Sequence, residues 1–149
     1  MTNSPGRCEE CGAPLAPGAA CRAQFDFLLG REFGDEALAA VHHLTVLCYT
    51  LQHPAAFDAS PEGHVGAWAL LHEALAENLA ASELRRRNRA RLRQADRPRM
   101  RNRGRRHAPL PAAPDWTFTV ADVVSGPDDD YAGRVRAWAN ALAKAGEGR

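Results

Sequence analysis

Residues 8–21 read CEECGAPLAPGAAC, and three thiols in so short a span constrain this chain more than any other feature. Cys8 and Cys11 form a C-x-x-C-G knuckle, a spacing that lets two thiolates reach one ion while Gly12 permits the tight turn. Cys21 stands where a first helix should begin, and a helix N-terminus favours a thiolate. Closely spaced cysteines in a reducing compartment read as metal ligands before disulfides. Zinc accepts sulfur and imidazole nitrogen in a tetrahedron, so a fourth ligand is expected. Its candidates are Asp26, His42, His43, Cys48 and His53.

Helical periodicity organises the rest. Residues 1–20 are punctuated by Pro5, Gly6, Gly12, Pro14, Pro17 and Gly18 and read as a loop. A first helix is expected from Cys21 to Phe33, with Phe25, Leu28, Leu29 and Phe33 as its apolar face. Asp35 is a suitable N-cap for a second, running to Gln52 before Pro54, with Val41, Leu44, Cys48 and Leu51 facing the core. Ser60-Pro61 starts a third, whose stripe is Val65, Trp68, His72, Leu75 and Leu79, continuing past Leu84. Thr119 and Asp122 suggest a capping box opening a short helix, and Tyr131, Val135, Trp138 and Leu142 mark a last one from Asp130 to Lys144. The expected fold is one all-α domain spanning 1–149. It comprises a cysteine-knuckle loop (1–20), three helices (21–94), an Arg/Pro-rich linker (95–114) and C-terminal helices (115–149). That makes a small bundle of four longer helices and one short one.

On the second helix His42, Val46, Tyr49 and His53 share a stripe opposite Leu44 and Leu51. His42 and His53 are roughly 16 Å apart along it, so only one of them can serve an ion held by the three cysteines. The expected metal set is Cys8, Cys11, Cys21 and His42 around zinc, with His53 as the second choice and His43 a further alternative. Cys48 reads as a buried thiol.

The net charge of +1 hides a strong asymmetry. Residues 1–84 hold three Arg against eleven acids, whereas residues 85–106, RRRNRARLRQADRPRMRNRGRR, hold twelve Arg and one Asp. Arg85 to Arg106 could therefore engage nucleic acid or an acidic protein surface, be held intramolecularly by the acidic body, or serve as a solvated linker. The tract contains no aromatic residue to stack on bases.

The segments CEECG…C and VHHLTVLCYTLQHP resemble a family of small bacterial proteins known only as a domain of unknown function. That family has an N-terminal knuckle, a third Cys and a helix carrying H-x-x-x-x-x-x-Y-x-x-Q-H-P. LPAAPDWTFTVADV and YAGRVRAWANAL resemble its later elements, while residues 85–106 have no counterpart. The resemblance implies that Cys8, Cys11, Cys21, His42, Tyr49, Gln52 and His53 are family positions. It implies no activity.

No apolar run of membrane-spanning length and no leader-like segment is seen, so a cytoplasmic location is expected. There is no Gly-rich phosphate loop, nucleophile elbow or H-E-x-x-H. His64 and His72 lie roughly 12 Å apart along a helix, too far for one metal. The expectation is a structural zinc protein with an interaction or accessory role rather than an enzyme. The alternatives are a nucleic-acid-binding accessory protein acting through 85–106 and a metal-dependent enzyme with a His-based site.

Overall fold

The computed structural model describes residues 6–94 and 108–147. Two short strands, β1 (Gly6–Arg7) and β2 (Pro14–Leu15), pair antiparallel and turn the expected loop into a hairpin with the cysteine knuckle at its tip. The remaining elements are helices: α1 (Cys21–Gly34), α2 (Glu36–Ala39), α3 (His42–Gln52), α4 (Pro61–Ala76), α5 (Ala81–Gln94), α6 (Val120–Val124) and α7 (Tyr131–Gly146). A 3-10 turn, Asp128–Asp130, leads into α7. Among the described residues the chain is all-α apart from the hairpin. Five longer helices and two short ones stand among the described residues, where four and one were expected.

Both added breaks have local causes. The expected second helix divides at Val41, which leaves helical geometry at ψ 7°, so α2 is a single turn and α3 starts at His42. Asp35 caps that turn as expected, accepting from the Ala37 amide at 2.9 Å. The expected third helix stops at Ala76. Asn78 adopts the left-handed conformation (φ 49°), and the Leu79 and Asn78 amides donate to the Ala74 and Leu75 carbonyls, which together make a Schellman stop. The chain then reverses, and α5 runs back along α4.

The core lies between α3, α4 and α7, with α1 and α6 closing one side. Leu44, Leu51, Leu71, Val120, Val123, Val135, Trp138 and Leu142 are fully buried in it. Trp138 donates to Gln52 Oε1 at 3.1 Å, and Gln52 Nε2 donates to the Phe118 carbonyl at 2.8 Å. One buried amide thus joins α3, α7 and the segment before α6. The expected faces of α3 and α7 are the buried ones. That of α4 is so in part: Trp68, Leu75 and Leu79 are half-buried against the core, but Leu71 and Ala74 turn furthest inward, while Val65 and His72 are exposed. The α4 sequence is apolar on several sides, so periodicity alone did not select one, and the small Ala74 allows close helix approach. On α1, Phe33 is 97% exposed and Glu32 takes the buried position instead. The expected capping box is present, with Asp122 accepting from the Thr119 amide at 2.8 Å. Residues 108–114 have no regular structure, and 95–107 of the expected linker lie outside the described residues.

Candidate metal centre

The knuckle is built by its own backbone. The Gly12 amide donates to the Cys8 carbonyl at 2.8 Å and the Cys8 amide to the Ala13 carbonyl at 2.9 Å. Gly12 has φ 77°, the left-handed region in which a side chain is strained. This turn places Cys8 and Cys11 side by side, and the Ala13 amide points at Cys11 Sγ (3.4 Å). Cys21 is the first residue of α1 and is brought up beneath the knuckle by the turn at Gly18 (φ 73°).

The fourth member of the group is His53, at the C-terminal end of α3. One ligand atom from each of Cys8, Cys11, Cys21 and His53 lies within 4.8 Å of the others. Cys11 Sγ and Cys21 Sγ are 3.7 Å apart, and His53 Nε2 lies 3.5 Å from Cys8 Sγ and 3.4 Å from Cys21 Sγ. A tetrahedral zinc ion with bonds of about 2.3 Å to sulfur and about 2.0–2.1 Å to nitrogen spaces its ligand atoms by about 3.7 Å (S–S) and about 3.5 Å (S–N). The spacings found are the edges of that tetrahedron. They are too long for a disulfide, whose sulfurs bond at about 2.05 Å.

The tautomer of His53 suits a metal. His53 Nδ1 donates to the Tyr49 carbonyl at 2.8 Å, which leaves the Nε2 lone pair facing the sulfurs. Burial alone would lower the His53 pKa, but hydrogen bonding to Cys21, the Tyr49 carbonyl and Cys8 outweighs it and the net direction is up. The hydrogen bond between Cys11 and Cys21 draws the Cys21 thiol pKa well down, with His53 adding to the effect, and pushes that of Cys11 well up, so without an ion the pair shares one proton. The ring of His53 stacks on Tyr49 (3.9 Å), and Tyr49 stacks on Phe25 (4.0 Å), which walls the group from solvent. Glu10 accepts from the Ala55 amide at 3.0 Å and fastens the knuckle to the turn after His53.

His42, the expected fourth ligand, is elsewhere. Its Nδ1 lies 2.7 Å from Glu32 Oε2, at the opposite end of α3. The reason is the direction of the helices. α1 and α3 run antiparallel, so Cys21 meets His53, Phe25 meets Tyr49, and Glu32 meets His42. The stripe of His42, Tyr49 and His53 does face α1, but only its C-terminal end reaches the cysteines. A signal for this was available: a thiol at the first residue of one helix lies beside the last residues of an antiparallel neighbour.

The other candidate ligands have different surroundings. Asp26 pairs with Arg22 at 2.8 Å. His43 is half-buried toward α4 and α5, where burial lowers its pKa. Cys48 is fully buried, and burial pushes its thiol pKa up. His64 accepts from Trp68 Nε1 at 3.2 Å on α4, and His72 packs against the same indole.

Sequence reasoning missed Glu32. It is 2% exposed, yet accepts from Thr45 Oγ1 (2.5 Å) and Tyr131 Oη (2.6 Å) as well as facing His42. Three donors offset the cost of burying a carboxylate. The signal was its place at 4,3,4 spacing after Cys21, Phe25 and Leu28, the residues of the buried face.

Fold and site together define a small helical protein whose N-terminal hairpin and two antiparallel helices assemble a Cys3His group able to hold a metal ion. The chain belongs to a family of unknown function (DUF5946), whose model matches residues 6–147. No curated protein and no solved structure matches it. No helix among the described residues is long and apolar enough to cross a membrane.

Proposed function

We propose that the protein is a one-domain, cytoplasmic zinc protein in which Cys8, Cys11, Cys21 and His53 bind a structural ion, and that it acts as an interaction or accessory protein. The observation that carries this reading is the convergence of four ligand atoms within 4.8 Å of one another, three of their spacings matching edges of a zinc tetrahedron, on side chains of which Cys11, Cys21 and His53 are buried. Four protein ligands close the shell of a zinc ion and leave no position for a catalytic water, which argues for a structural role. The ion would supply cross-links between hairpin, α1 and α3, and the chain's own part is to hold the imidazole tautomer through the Tyr49 carbonyl. His42 is assigned to the Glu32 pair.

Metal analysis of purified protein tests the reading. One zinc per chain is expected in the wild type and in His42→Ala, with loss in Cys11→Ser and His53→Ala. Cobalt substitution should give the intense visible spectrum of a tetrahedral thiolate site, altered by His53→Ala and unchanged by His42→Ala. Negligible metal in a wild type purified under reducing, chelator-free conditions and unable to take up cobalt would refute it.

A further inference from the structure

The described part of the arginine tract is two-faced. α5 folds back along α4, and one of its faces is neutralised there. Arg87 pairs with Glu73 (2.7 Å), Glu77 (2.8 Å) and Glu83 (2.8 Å), and Arg91 also pairs with Glu73. Arg86 pairs with Glu83 at 2.6 Å. The opposite face carries Arg85, Arg89 and Arg93, all exposed and none with an acidic partner among the described residues. They line an open cleft of about 560 Å³ with Ser82, Arg86 and Ala90.

Like charges at i, i+4 repel along a helix, so a stripe of three is unfavourable by itself. The Glu73–Arg87–Glu77 clamp on the other side holds α5 in place against that repulsion. The result is three arginines whose Cα atoms are spaced about 6 Å apart along one line of a held helix.

We propose that this stripe is a docking surface for the phosphodiester backbone of a nucleic-acid duplex. Guanidinium groups recognise phosphate by paired hydrogen bonds as well as charge. The cleft itself offers a protein partner only Ala90, while Leu92 is exposed on the same helix and Arg85 also borders an apolar groove with Val46, Leu47 and Leu70; the choice of nucleic acid rests on the positive charge of the stripe, unpaired among the described residues. The cleft also has no aromatic side chain, which disfavours base stacking on single strands. The recognition is of backbone, independent of sequence. It goes beyond the zinc reading and does not depend on it.

The test is fluorescence anisotropy with two labelled mixed-sequence duplexes, DNA and RNA, which distinguish the source of the backbone. Arg85→Gln/Arg89→Gln/Arg93→Gln is compared with Arg22→Gln/Arg136→Gln/Lys144→Gln, which removes the same charge elsewhere; circular dichroism checks that both are folded. Wild type and control should bind at least one duplex, and the stripe variant about tenfold or more weaker. For DNA the stripe variant's log K against log salt slope should be shallower by about 2.7, at about 0.9 for each phosphate it no longer neutralises. Absence of binding to both duplexes at low salt, or equal affinities and slopes for the two variants, would overturn the proposal. Polyglutamate bound more tightly than either duplex would also overturn it, in favour of an acidic protein.

Discussion

At the scale of single residues, two buried polar groups at opposite ends of α3 organise the surface it presents to α1. Glu32 is the more demanding, since a carboxylate out of water must be satisfied by its neighbours. Burial and the bond to Glu32 hold the Tyr131 hydroxyl pKa above its ordinary value, so Tyr131 remains a donor throughout the neutral range. Tyr131→Phe removes that donor and should cost about 1.5–3 kcal/mol in urea unfolding, the worth of a hydrogen bond to a charged group. Zinc content should be unchanged, because Tyr131 lies at the far end of the helix pair. Three of the four grouped side chains were legible in the sequence because Cys8, Cys11 and Cys21 are close along the chain. The fourth depends on which end of α3 lies against the start of α1. A helical wheel fixes the angular position of His42 and His53 but says nothing of their height on a neighbouring helix.

Among the elements, α4 and α5 show most clearly how local geometry overrides a periodic pattern. An apolar stripe through Leu79 suggested continuation, yet Asn78 in the left-handed region ends the helix and sends the chain back. Asn tolerates that conformation better than other side chains, and glycine better still. Asn78→Ala should therefore lose about 1 kcal/mol in chemical denaturation, while Asn78→Gly should match the wild type or exceed it by a few tenths. The reversal positions Arg87 and Arg91 against Glu73 and Glu77, a pairing invisible in a reading that kept the helix straight. It also makes α5 sensitive to acid. The bonds from Arg86 and then Arg87 hold the Glu83 pKa down at about 2, Glu73 is lowered by Arg87 and then Arg91, and Glu77 by Arg87. Groups with depressed folded-state values contribute stability above their ordinary range near 4.5 and lose it as pH falls toward the folded value. Protection factors of α5 amides, corrected for the intrinsic pH dependence of exchange, should therefore fall between about pH 4.5 and 2, ahead of those of α7, and high salt should reduce the difference. Protection of α5 and α7 that falls in parallel across that range would count against the clamp.

For the molecule as a whole, the core of α3 and α7 was legible because each helix has a single apolar face, whereas α4 was legible only in part, through Trp68, Leu75 and Leu79, because it has more than one. The hairpin buries only Cys11 and Ala13, so the proposed ion at Cys8, Cys11, Cys21 and His53 would be its main tie to α1 and α3. Ligand binding to the folded state alone adds about 4 kcal/mol at a thousandfold excess over Kd, and 1 kcal/mol moves Tm by about 2–4 °C in a chain of this size. Chelation should accordingly lower Tm by about 8–16 °C, with zinc restoring it; an identical melt before and after metal removal would argue against an ion in that position. The two ends of the α1–α3 pair have one more consequence. Cys21 and Glu32 are eleven residues apart on α1, and so are His42 and His53 on α3. The pair behaves as a caliper with matched jaws. Lengthening either helix alone by one turn between those points would let only one jaw close, so across relatives any insertion in this stretch of α1 should be matched by one of equal length in α3.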